Sequence, residues 1–507
     1  MSTDPDDRQA FASRTPINDN PEQVVYRRGF VTRHQVSGWR FLMRRIASGV
    51  ALHDTRMLVD PLRSQSRAVL VGALVLITGV IGCFIFSLIR PAGVAGDSAI
   101  LADRETSALY VRLGDQLHPV LNLTSARLIA GRPDNPTMVK SSELDQFPRG
   151  NLIGIPGAPE RMVQNTSRDA DWTVCDGVAG PAAGVTVIAG PLADGGERAG
   201  TLPDNDAVLV ANAGAPNAGT WLLWDGRRSP IDLNDRAVTG ALGLGAETPE
   251  ARQIAPGLFN AIPEAPALSA PTITAAGEPT RYQLPVAAPI GAVVTSFDTD
   301  NTLRHYAVLA EGLQPVSSVV AAILRNTNSF GLDQPPRLGA DDVARLPVAA
   351  DIDTNVYPVE PITLVDAAVA PLTCAQWTHP ADATSSALTL RSGVTLPVPD
   401  ELRTVALVGA GSGNTADRVA LTPGRGYLVQ SGGSYFWVSD TGVRYGVDED
   451  ADQKALAALG LNAPALPIPW SMLSQFAEGP TLSRGDALLA HDALAADPRP
   501  AVLRETP

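Results

Sequence analysis

One uncharged run constrains this chain more than any other feature. The run from Ala68 to Ile89 contains no charged side chain. As a helix it would extend about 33 Å, at about 1.5 Å per residue, which is enough to cross the hydrocarbon core of a bilayer. A cleaved signal peptide is the alternative, but its apolar region should be about 7 to 15 residues long and near the N-terminus. Because the whole segment 1–67 comes first, we predict a transmembrane anchor.

The distribution of charge predicts the orientation of this anchor. Residues 1–67 contain 11 arginines against 7 acidic residues, whereas the chain after Arg90 contains 27 basic against 46 acidic residues. Basic residues near a membrane helix favour the cytoplasmic side. The N-terminus is therefore expected in the cytoplasm and the bulk of the chain outside it. An acidic exported part also argues against binding to nucleic acid.

The cysteines predict one covalent link in the exported part. Cys83 lies in the apolar run, which leaves Cys175 and Cys374 as the pair that follows it. In an oxidising compartment a disulfide between them is the default expectation. A pair of buried free thiols is the alternative.

The exported part contains two pairs of similar segments. "TSALYVRLGDQLHPVLNLTSARLI" from Thr106 and "NTLRHYAVLAEGLQPVSSVVAAIL" from Asn301 both read as two short strands, a polar cap and a helix, with matched prolines at Pro119 and Pro315. A looser pair begins at Ala207 and Arg418, where Gly226 and Gly433 are taken as the matched turn glycines. The offsets are 196, 207 and, for the cysteines, 199. Chance similarity in a composition rich in Gly, Pro and Val is the alternative to duplication.

These observations predict an α+β fold with a single N-terminal transmembrane helix and an elongated, pseudo-two-fold extracytoplasmic region. Four repeat units would surround a β-rich central domain. The predicted segments are a head at 1–67, the membrane helix at 68–90, repeat units at 91–131, 207–245, 301–331 and 418–461, central-domain segments at 132–206 and 332–417, a Pro-rich connector at 246–300 and an extended tail at 462–507.

The head contains an amphipathic helix. Its seam of apolar residues has the 3/4 spacing of one helix face and comprises Val36, Trp39, Met43, Ile46, Val50 and Met57. Arg40, Arg44 and Arg45 lie off this seam. The helix could dock on a partner protein, lie on anionic lipid, or pack within the head alone, although so short a head offers little core.

Several of these segments resemble the EccB family, a membrane core component of the mycobacterial type VII (ESX) secretion system. The resemblance is carried by the head "GWRFLMRRIASGVALHDTRMLVDPLRSQSRA", the membrane helix with "RPAG", and then "GNLIGIPGAPERM", "DWTVCDG" and "GPTLSRGDALL". It implies a single-pass inner-membrane subunit with its repeats in the periplasm. It also implies that the subunit dimerises and joins EccC, EccD, EccE and the mycosin protease.

The search for catalytic, cofactor and metal sites nominates no residue. Gly409, Gly411 and Gly413 follow an apolar run, but their spacing and the strand-like sequence after them do not fit a dinucleotide site. ATPase activity has been credited to the resembled family, yet no G-x-x-x-x-G-K-[ST] loop occurs in the chain. The six histidines show no metal-ligand spacing, and "DTDN" from Asp298 lacks the rest of a calcium loop.

Two functions therefore remain open beside ATPase activity. The first is a structural subunit of the secretion complex, and the second is a membrane-anchored cell-wall-binding protein, which would need exposed aromatic residues at matched repeat positions.

The C-terminal segment "APALPIPWSMLSQFAEGP" is too apolar for a free tail, because it carries Trp470, Met472, Leu473 and Phe476 between prolines that prevent a long helix. We expect it to lie along its own or a neighbouring subunit.

Overall fold

A computed structural model describes residues 32–53, 61–89, 93–215, 219–245, 248–413, 415–448, 454–494 and 500. These residues form two compact units, Met1–Ala92 and Gly93–Pro507. The helices, in chain order, are α1 (Arg33–Leu52), α2 (Pro61–Ile89), α3 (Leu123–Ala130), α4 (Ser141–Leu144), α5 (Arg236–Ala241), α6 (Pro256–Ala261), α7 (Ser318–Thr327), α8 (Ala340–Arg345), α9 (Lys454–Leu459), α10 (Trp470–Leu473) and α11 (Arg484–Ala487).

The strands belong to the Gly93–Pro507 unit. In chain order they are β1 (Ile100–Asp103), β2 (Leu109–Leu113), β3 (Gln116–Pro119), β4 (Thr137–Val139), β5 (Leu152–Ile153), β6 (Ala170–Gly177), β7 (Gly184–Ala189), β8 (Gly200–Thr201), β9 (Asp206–Asn212), β10 (Thr220–Trp224), β11 (Arg227–Ile231), β12 (Arg252–Ile254), β13 (Val293–Phe297), β14 (Leu303–Val308), β15 (Leu313–Val316), β16 (Thr363–Leu364), β17 (Leu372–His379), β18 (Ala387–Gly393), β19 (Val405–Ala406), β20 (Arg418–Ala420), β21 (Tyr427–Ser431), β22 (Ser434–Val438), β23 (Val443–Val447), β24 (Leu466–Pro467), β25 (Ala477–Glu478) and β26 (Ala490–His491).

The N-terminal unit contains the head helix and the apolar helix. The Gln35 amide donates to the Thr32 hydroxyl, and the Thr32 amide donates to the Gln35 side-chain oxygen. This capping box fixes where α1 begins. The predicted head helix reaches Met57, which lies outside the described residues, and α1 itself ends at Leu52. Helix α2 begins at Pro61, before the predicted start at Ala68, and its stretch Gln65–Phe86 is long and apolar enough to cross a membrane.

A seven-stranded mixed sheet forms the centre of the Gly93–Pro507 unit, in the order β19-β20-β7-β6-β17-β18-β8. Its middle strand, β6, pairs antiparallel with β17. Each is flanked by the strand that follows it in the chain, β7 beside β6 and β18 beside β17. Beyond these strands the halves exchange: β20 pairs with β7, and β8 pairs with β18. The two parts of the chain are therefore interleaved within one sheet.

The two segments matched at Pro119 and Pro315 have the same local topology. In the sheet β3-β2-β1-β4, Tyr110 lies opposite Pro119, and in the sheet β13-β14-β15, Tyr306 lies opposite Pro315. A capped helix follows each, with Asn122 before α3 and Ser317 before α7. Strands β4 and β13 extend these sheets beyond the predicted boundaries at 131 and 301, because each pairs with a strand inside the predicted unit.

The second pair of segments differs from the prediction by one strand. Strand β20, predicted to open the unit at 418–461, pairs parallel with β7 in the central sheet, so the last unit's own sheet is β24-β21-β22-β23-β25. Comparison with β11-β10-β9-β12 matches β9 with β21, β10 with β22 and β11 with β23. The glycine that corresponds to Gly226 is therefore Gly442, before β23, and the choice of Gly433 is wrong.

Side chains from distant parts of the sequence share cores. Helices α3 and α9 pack in one core, where Leu128 and Leu459 are buried, and helices α5 and α7 pack in another with Val238 and Ile323. The pairing joins the first predicted unit to the fourth and the second to the third. The Gly93–Pro507 unit thus has a mixed α/β fold in which contacts between the two halves are extensive.

The predicted connector and tail are parts of these sheets. Strand β12 pairs parallel with β9 and leads into α6, and β24 pairs parallel with β21 and leads into α10. Both segments bury their apolar side chains in one common core, namely Ile254, Leu258, Phe259 and Ile262 in one and Ile468, Met472, Leu473 and Phe476 in the other. Within 246–300 and 462–507, the described segments from β12 to α6 and from β24 to α10 therefore complete the sheets that precede them.

Candidate interaction surfaces and the covalent junction

The apolar seam of α1 is exposed in this structure. Val36, Met43 and Ile46 are between about two-fifths and half exposed, and Trp39 is 61% exposed. These four side chains follow one another at spacings of three and four residues, so they lie along the same side of the helix. A continuous apolar seam in contact with water is a feature of surfaces that bind a protein or a membrane.

The C-terminal segment packs against its own chain. Met472, Leu473 and Phe476 are fully buried, and the Phe476 ring meets that of Trp172 on β6 edge to face, with 6.5 Å between centroids. Trp172 also donates its indole N–H to the carbonyl of Pro467 at 3.0 Å. Trp470 behaves differently, because 53% of it is exposed. The sequence predicted that this segment lies along its own or a neighbouring subunit. Three of its four apolar residues lie in the chain's own core, and Trp470 faces outward.

Trp470 packs beside one aromatic and one cationic side chain. Its ring centroid is 5.8 Å from that of Phe436, and the guanidinium carbon of Arg444 lies 5.3 Å from the Trp470 ring. Arg444 in turn pairs with Glu478 at 3.7 Å. Phe436 and Arg444 therefore contact one part of the Trp470 ring, and the rest of the ring is exposed to solvent.

The two cysteines of the Gly93–Pro507 unit face each other in the middle of the central sheet. Cys175 on β6 and Cys374 on β17 are directly opposite in the antiparallel register, and their sulfur atoms are 2.06 Å apart in a disulfide. Both side chains are fully buried. Trp172 and Trp377 also lie opposite each other on these strands. The bond joins the two halves at the centre of the sheet.

Two buried charged residues attach α6 to the same sheet. Asp176, 5% exposed, accepts a hydrogen bond from the Ala255 amide at 2.6 Å, at the start of α6. Arg252, 6% exposed, donates to the Ala370 carbonyl at 2.7 Å and to the Thr373 hydroxyl. Burial raises the pKa of Asp176 above its usual value and lowers the pKa of Arg252. These groups form a polar junction between the segment of β12 and α6 and the central sheet.

This junction predicts a particular pH dependence. The pKa of Asp176 is raised from 3.8, so the folded state binds its proton more tightly than the unfolded state does. Stability from this group is present at low pH and declines as pH rises from about 4 through the folded pKa. We expect the thermal midpoint of Asp176→Asn, measured relative to the wild type, to increase over that window.

An exposed carboxylate gives a control of opposite sign. The backbone amide of Thr302 lowers the pKa of Asp300, so Asp300 contributes stability that is lost as pH falls below about 4. The midpoint of Asp300→Asn, relative to the wild type, should decrease as pH rises through that lower window. Parallel pH curves for the two variants would contradict the assignment at Asp176.

The motifs considered for other chemistry have local structural roles. The Gly-rich segment leads into strand β20, and its Gly411 amide donates to the Asp417 carboxylate. Asp298 pairs with Arg304 at 3.4 Å, beside the turn bond of Asp300. Among the described residues, three or more His, Cys, Asp or Glu side chains never converge in a group that could hold a metal ion.

The tryptophans in the second pair of similar segments, which begin at Ala207 and Arg418, are mostly inaccessible. Trp224 and Trp437 are buried, and Trp221 is partly buried with its ring against Phe259 at 5.2 Å. Sugar rings bind to exposed aromatic faces, which these side chains lack. The matched repeat positions therefore do not present the surface that the cell-wall hypothesis requires.

A membrane-length helix, an exposed apolar seam and a large disulfide-joined α/β unit together fit a membrane-anchored subunit of a larger assembly. The chain belongs to the EccB family: residues 28–496 match the family model described as "Type VII secretion system ESX-1, transport TM domain B". The family resemblance seen in the sequence is confirmed.

The chain is similar to named relatives and to solved structures of this family. The chain is 66% identical to "ESX-3 secretion system ATPase EccB3" of Mycolicibacterium smegmatis, over 98% of each chain, and 64% identical to the protein of that name from Mycobacterium tuberculosis, over 98% of this chain and 96% of the relative. It is similar to the chain in "Structure of EccB3 dimer from the ESX-3 core complex", with TM-score 0.71, 61% identity and coverage of 78% of this chain and 100% of that one.

A second structural relative covers most of the chain. It comes from "Structure of an intact ESX-5 inner membrane complex", with TM-score 0.73, 38% identity and coverage of 95% and 99% of the two chains. The chain is accordingly a structural subunit of a type VII secretion membrane complex. Its homologues occur in inner-membrane complexes that carry a periplasmic assembly and include a dimer.

Proposed function

We propose that this chain anchors and organises the periplasmic assembly of an ESX-3-type secretion complex. Identity of 64–66% to EccB3 proteins, against 37–38% to the EccB5 and EccB1 relatives, supports the choice of system. Residues 1–67 would lie in the cytoplasm, α2 would cross the inner membrane once, and residues from 93 onward would lie in the periplasm. The excess of arginine before the helix and of acidic residues after it supports this orientation.

The periplasmic part is proposed to consist of four repeat units around the central sheet, related by a pseudo-two-fold axis through the disulfide. The shared register at Pro119 and Pro315, and the exchange of β8 and β20 between halves, support this arrangement. An ion pair repeats as well: Arg228 meets Glu264 at 3.2 Å, as Arg444 meets Glu478. Such a unit offers a rigid, repetitive surface on which an assembly can be built.

The proposed partners are those that the family resemblance implies: EccC, EccD, EccE, the mycosin protease and a second copy of the chain. The single observation that carries the docking role is the exposed seam of α1, formed by Val36, Trp39, Met43 and Ile46. Burying apolar side chains contributes about 25 cal/mol per Å² removed from water, and an interface that buries a large aromatic residue typically depends on it. Trp39 is therefore the expected anchor of this surface.

Replacing Trp39 and Ile46 with Ser should release partner subunits without affecting membrane insertion. The experiment purifies the full chain from its native membrane in mild detergent and identifies the membrane proteins that elute with it in a high-mass complex. We expect most of the wild-type complement of partners to be lost from the double variant.

Arg45→Ser is the matched control, because Arg45 lies on the opposite side of α1 and is exposed. It should keep the complex intact. Unchanged co-purification of partners with the Trp39/Ile46 variant would contradict docking through the seam, and loss of membrane insertion would show that the helix has a different role.

The word ATPase in the relatives' names describes those proteins. For this chain we propose a scaffolding role, because the sequence has no Walker A loop and its two lysines, Lys140 and Lys454, are not adjacent to one. No catalytic residue, cofactor or metal ligand is assigned to it.

A further inference from the structure

The cysteine face of the central sheet is covered by loops. On the opposite face, Trp172 and Val174 pack against α6 and α10. On the cysteine face the sulfur atoms lie among sheet residues Ile188, Leu372 and Ala420. Ala182 of the short 3₁₀ helix Gly180–Ala182 closes part of this small core. The other side chains that close it come from loops and comprise Leu192, Ala199, Leu396 and Val398.

Two of these loops form one layer, which we call the cover and define as residues 191–199 and 394–400. They are joined to each other by backbone hydrogen bonds. The Ala193 amide donates to the Pro397 carbonyl at 3.0 Å, the Ala199 amide to Thr395 at 3.0 Å, and the Thr395 amide to Glu197 at 2.9 Å. The cover follows β7 on one side and β18 on the other, so both loops begin at strands that flank the disulfide.

Ion pairs fasten the cover at its exposed side. Arg198 pairs with Asp400 across the two loops, and Asp194 pairs with Arg391 of β18. Asp194 and Asp400 are 75% and 88% exposed at their side chains, whereas Arg391 is 7% exposed. Helices and long strands are absent from both described loops, so opening them breaks loop contacts and leaves the ladder between β6 and β17 intact.

We infer that local opening of the cover gives a redox partner access to the Cys175–Cys374 bond, both when the bond forms and when it is reduced. Thiol–disulfide exchange requires a sulfur atom to approach along the bond that it attacks. With both cysteines fully buried, that approach is closed in the folded state. Opening the cover uncovers the sulfur atoms while β6 and β17 stay paired. Because the cysteines are 199 residues apart in the sequence, that pairing is the step that brings the thiols together.

The reaction partner is a thiol oxidoreductase that carries a disulfide, on the side of the membrane where the Gly93–Pro507 unit lies. The thiolate of one cysteine attacks the catalyst's disulfide, forming a mixed disulfide and releasing one catalyst thiolate. The second cysteine thiolate then attacks the mixed disulfide at the first cysteine's sulfur and releases the other catalyst thiolate. Two electrons pass to the catalyst, which becomes a dithiol, and the two cysteine protons are lost to solvent or to that dithiol. Closure of the cover then protects the product.

The test measures reduction of the native bond in the full chain, held in mild detergent with dithiothreitol. Samples are quenched with iodoacetamide, and peptide mapping reports Cys175 and Cys374 separately from Cys83. Global unfolding is followed in the same solution. Removing the bridging pair with Arg198→Gln and Asp400→Asn should accelerate reduction up to about fivefold, since an exposed ion pair contributes up to about 1 kcal/mol. Asp194→Asn, acting on the same loop independently, should also accelerate it.

The matched control removes an exposed ion pair elsewhere, Arg345 with Asp341 on α8, by Arg345→Gln and Asp341→Asn. It should reduce at the wild-type rate. The inference is supported if the cover variants are reduced faster than the wild type and also faster than they unfold. Reduction that keeps pace with global unfolding in every variant, or equal acceleration in the control, overturns it, because the sheet itself would then have to open.

Discussion

Replacing Cys175 and Cys374 together with Ala is expected to lower the thermal midpoint of the Gly93–Pro507 unit by several degrees. The bond closes a loop of 199 residues, and the chain-entropy model assigns such a loop about 5 kcal/mol, an upper figure because residual structure in the unfolded chain reduces it. Changing both residues leaves no lone buried thiol. The measurement is thermal unfolding of the full chain in detergent, with membrane insertion checked alongside.

Cys83→Ala provides the control, since Cys83 is exposed on α2 and is not in the disulfide. It should leave the midpoint unchanged. Alkylation of the denatured, unreduced chain checks the premise directly: full labelling of both Cys175 and Cys374 would mean that the link is absent. A midpoint equal to the wild type in the double variant would mean that the interleaved strands alone fix the two halves.

The sequence predicted those features that depend on local pattern or simple counting. An uncharged run long enough to cross a bilayer, from Ala68 to Ile89, permits few structures besides a membrane helix, and two cysteines remaining in one compartment leave one possible pair. The prolines at 119 and 315 marked the same strand position because each lies opposite a tyrosine in a hairpin, where sequence neighbours are also spatial neighbours.

The features that the sequence did not predict depend on contacts between distant residues. Strand β20 is short, Arg418–Ala420, and it is a strand of the central sheet because β7, in the first half of the chain, accepts it in parallel register. A parallel partner of that kind leaves no turn signal in the sequence. Gly433 lies in the hairpin between β21 and β22, whereas the counterpart of Gly226 is Gly442, in the next hairpin between β22 and β23.

The C-terminal segment shows the same limit at the level of a candidate site. Its composition predicted burial against a surface, and hydrophobicity alone could not say which surface. The structure places Met472, Leu473 and Phe476 in the core under β6 and leaves Trp470 outside. The separation of these neighbouring residues follows from a single-turn helix, α10, which presents one side to the core and the other to solvent.

Phe476→Ala is therefore expected to destabilise the Gly93–Pro507 unit strongly, by about 3–5 kcal/mol, because removing a fully buried phenylalanine leaves a cavity. Phe476 meets Trp172 in the core and lies in the segment that continues from β24 and α10 to β25. Truncation after Gly460 should have a larger effect, since it removes both edge strands of the β21–β23 sheet. Thermal unfolding of each full-length or truncated chain measures this loss.

Trp470→Ala separates the core role of this segment from a role at an interface. Trp470 is 53% exposed and contacts Phe436 and Arg444 only at one side, so its removal should change the thermal midpoint little. If the exposed ring contributes to self-association, light scattering of this variant will show a lower mass at the same protein concentration, with a normal midpoint. Phe476→Ala should instead lower the thermal midpoint, and any lower mass in light scattering would follow from that loss of folded protein. A truncated chain with the wild-type midpoint and mass would contradict both assignments, because the segment would then contribute neither to the core of its own chain nor to an interface.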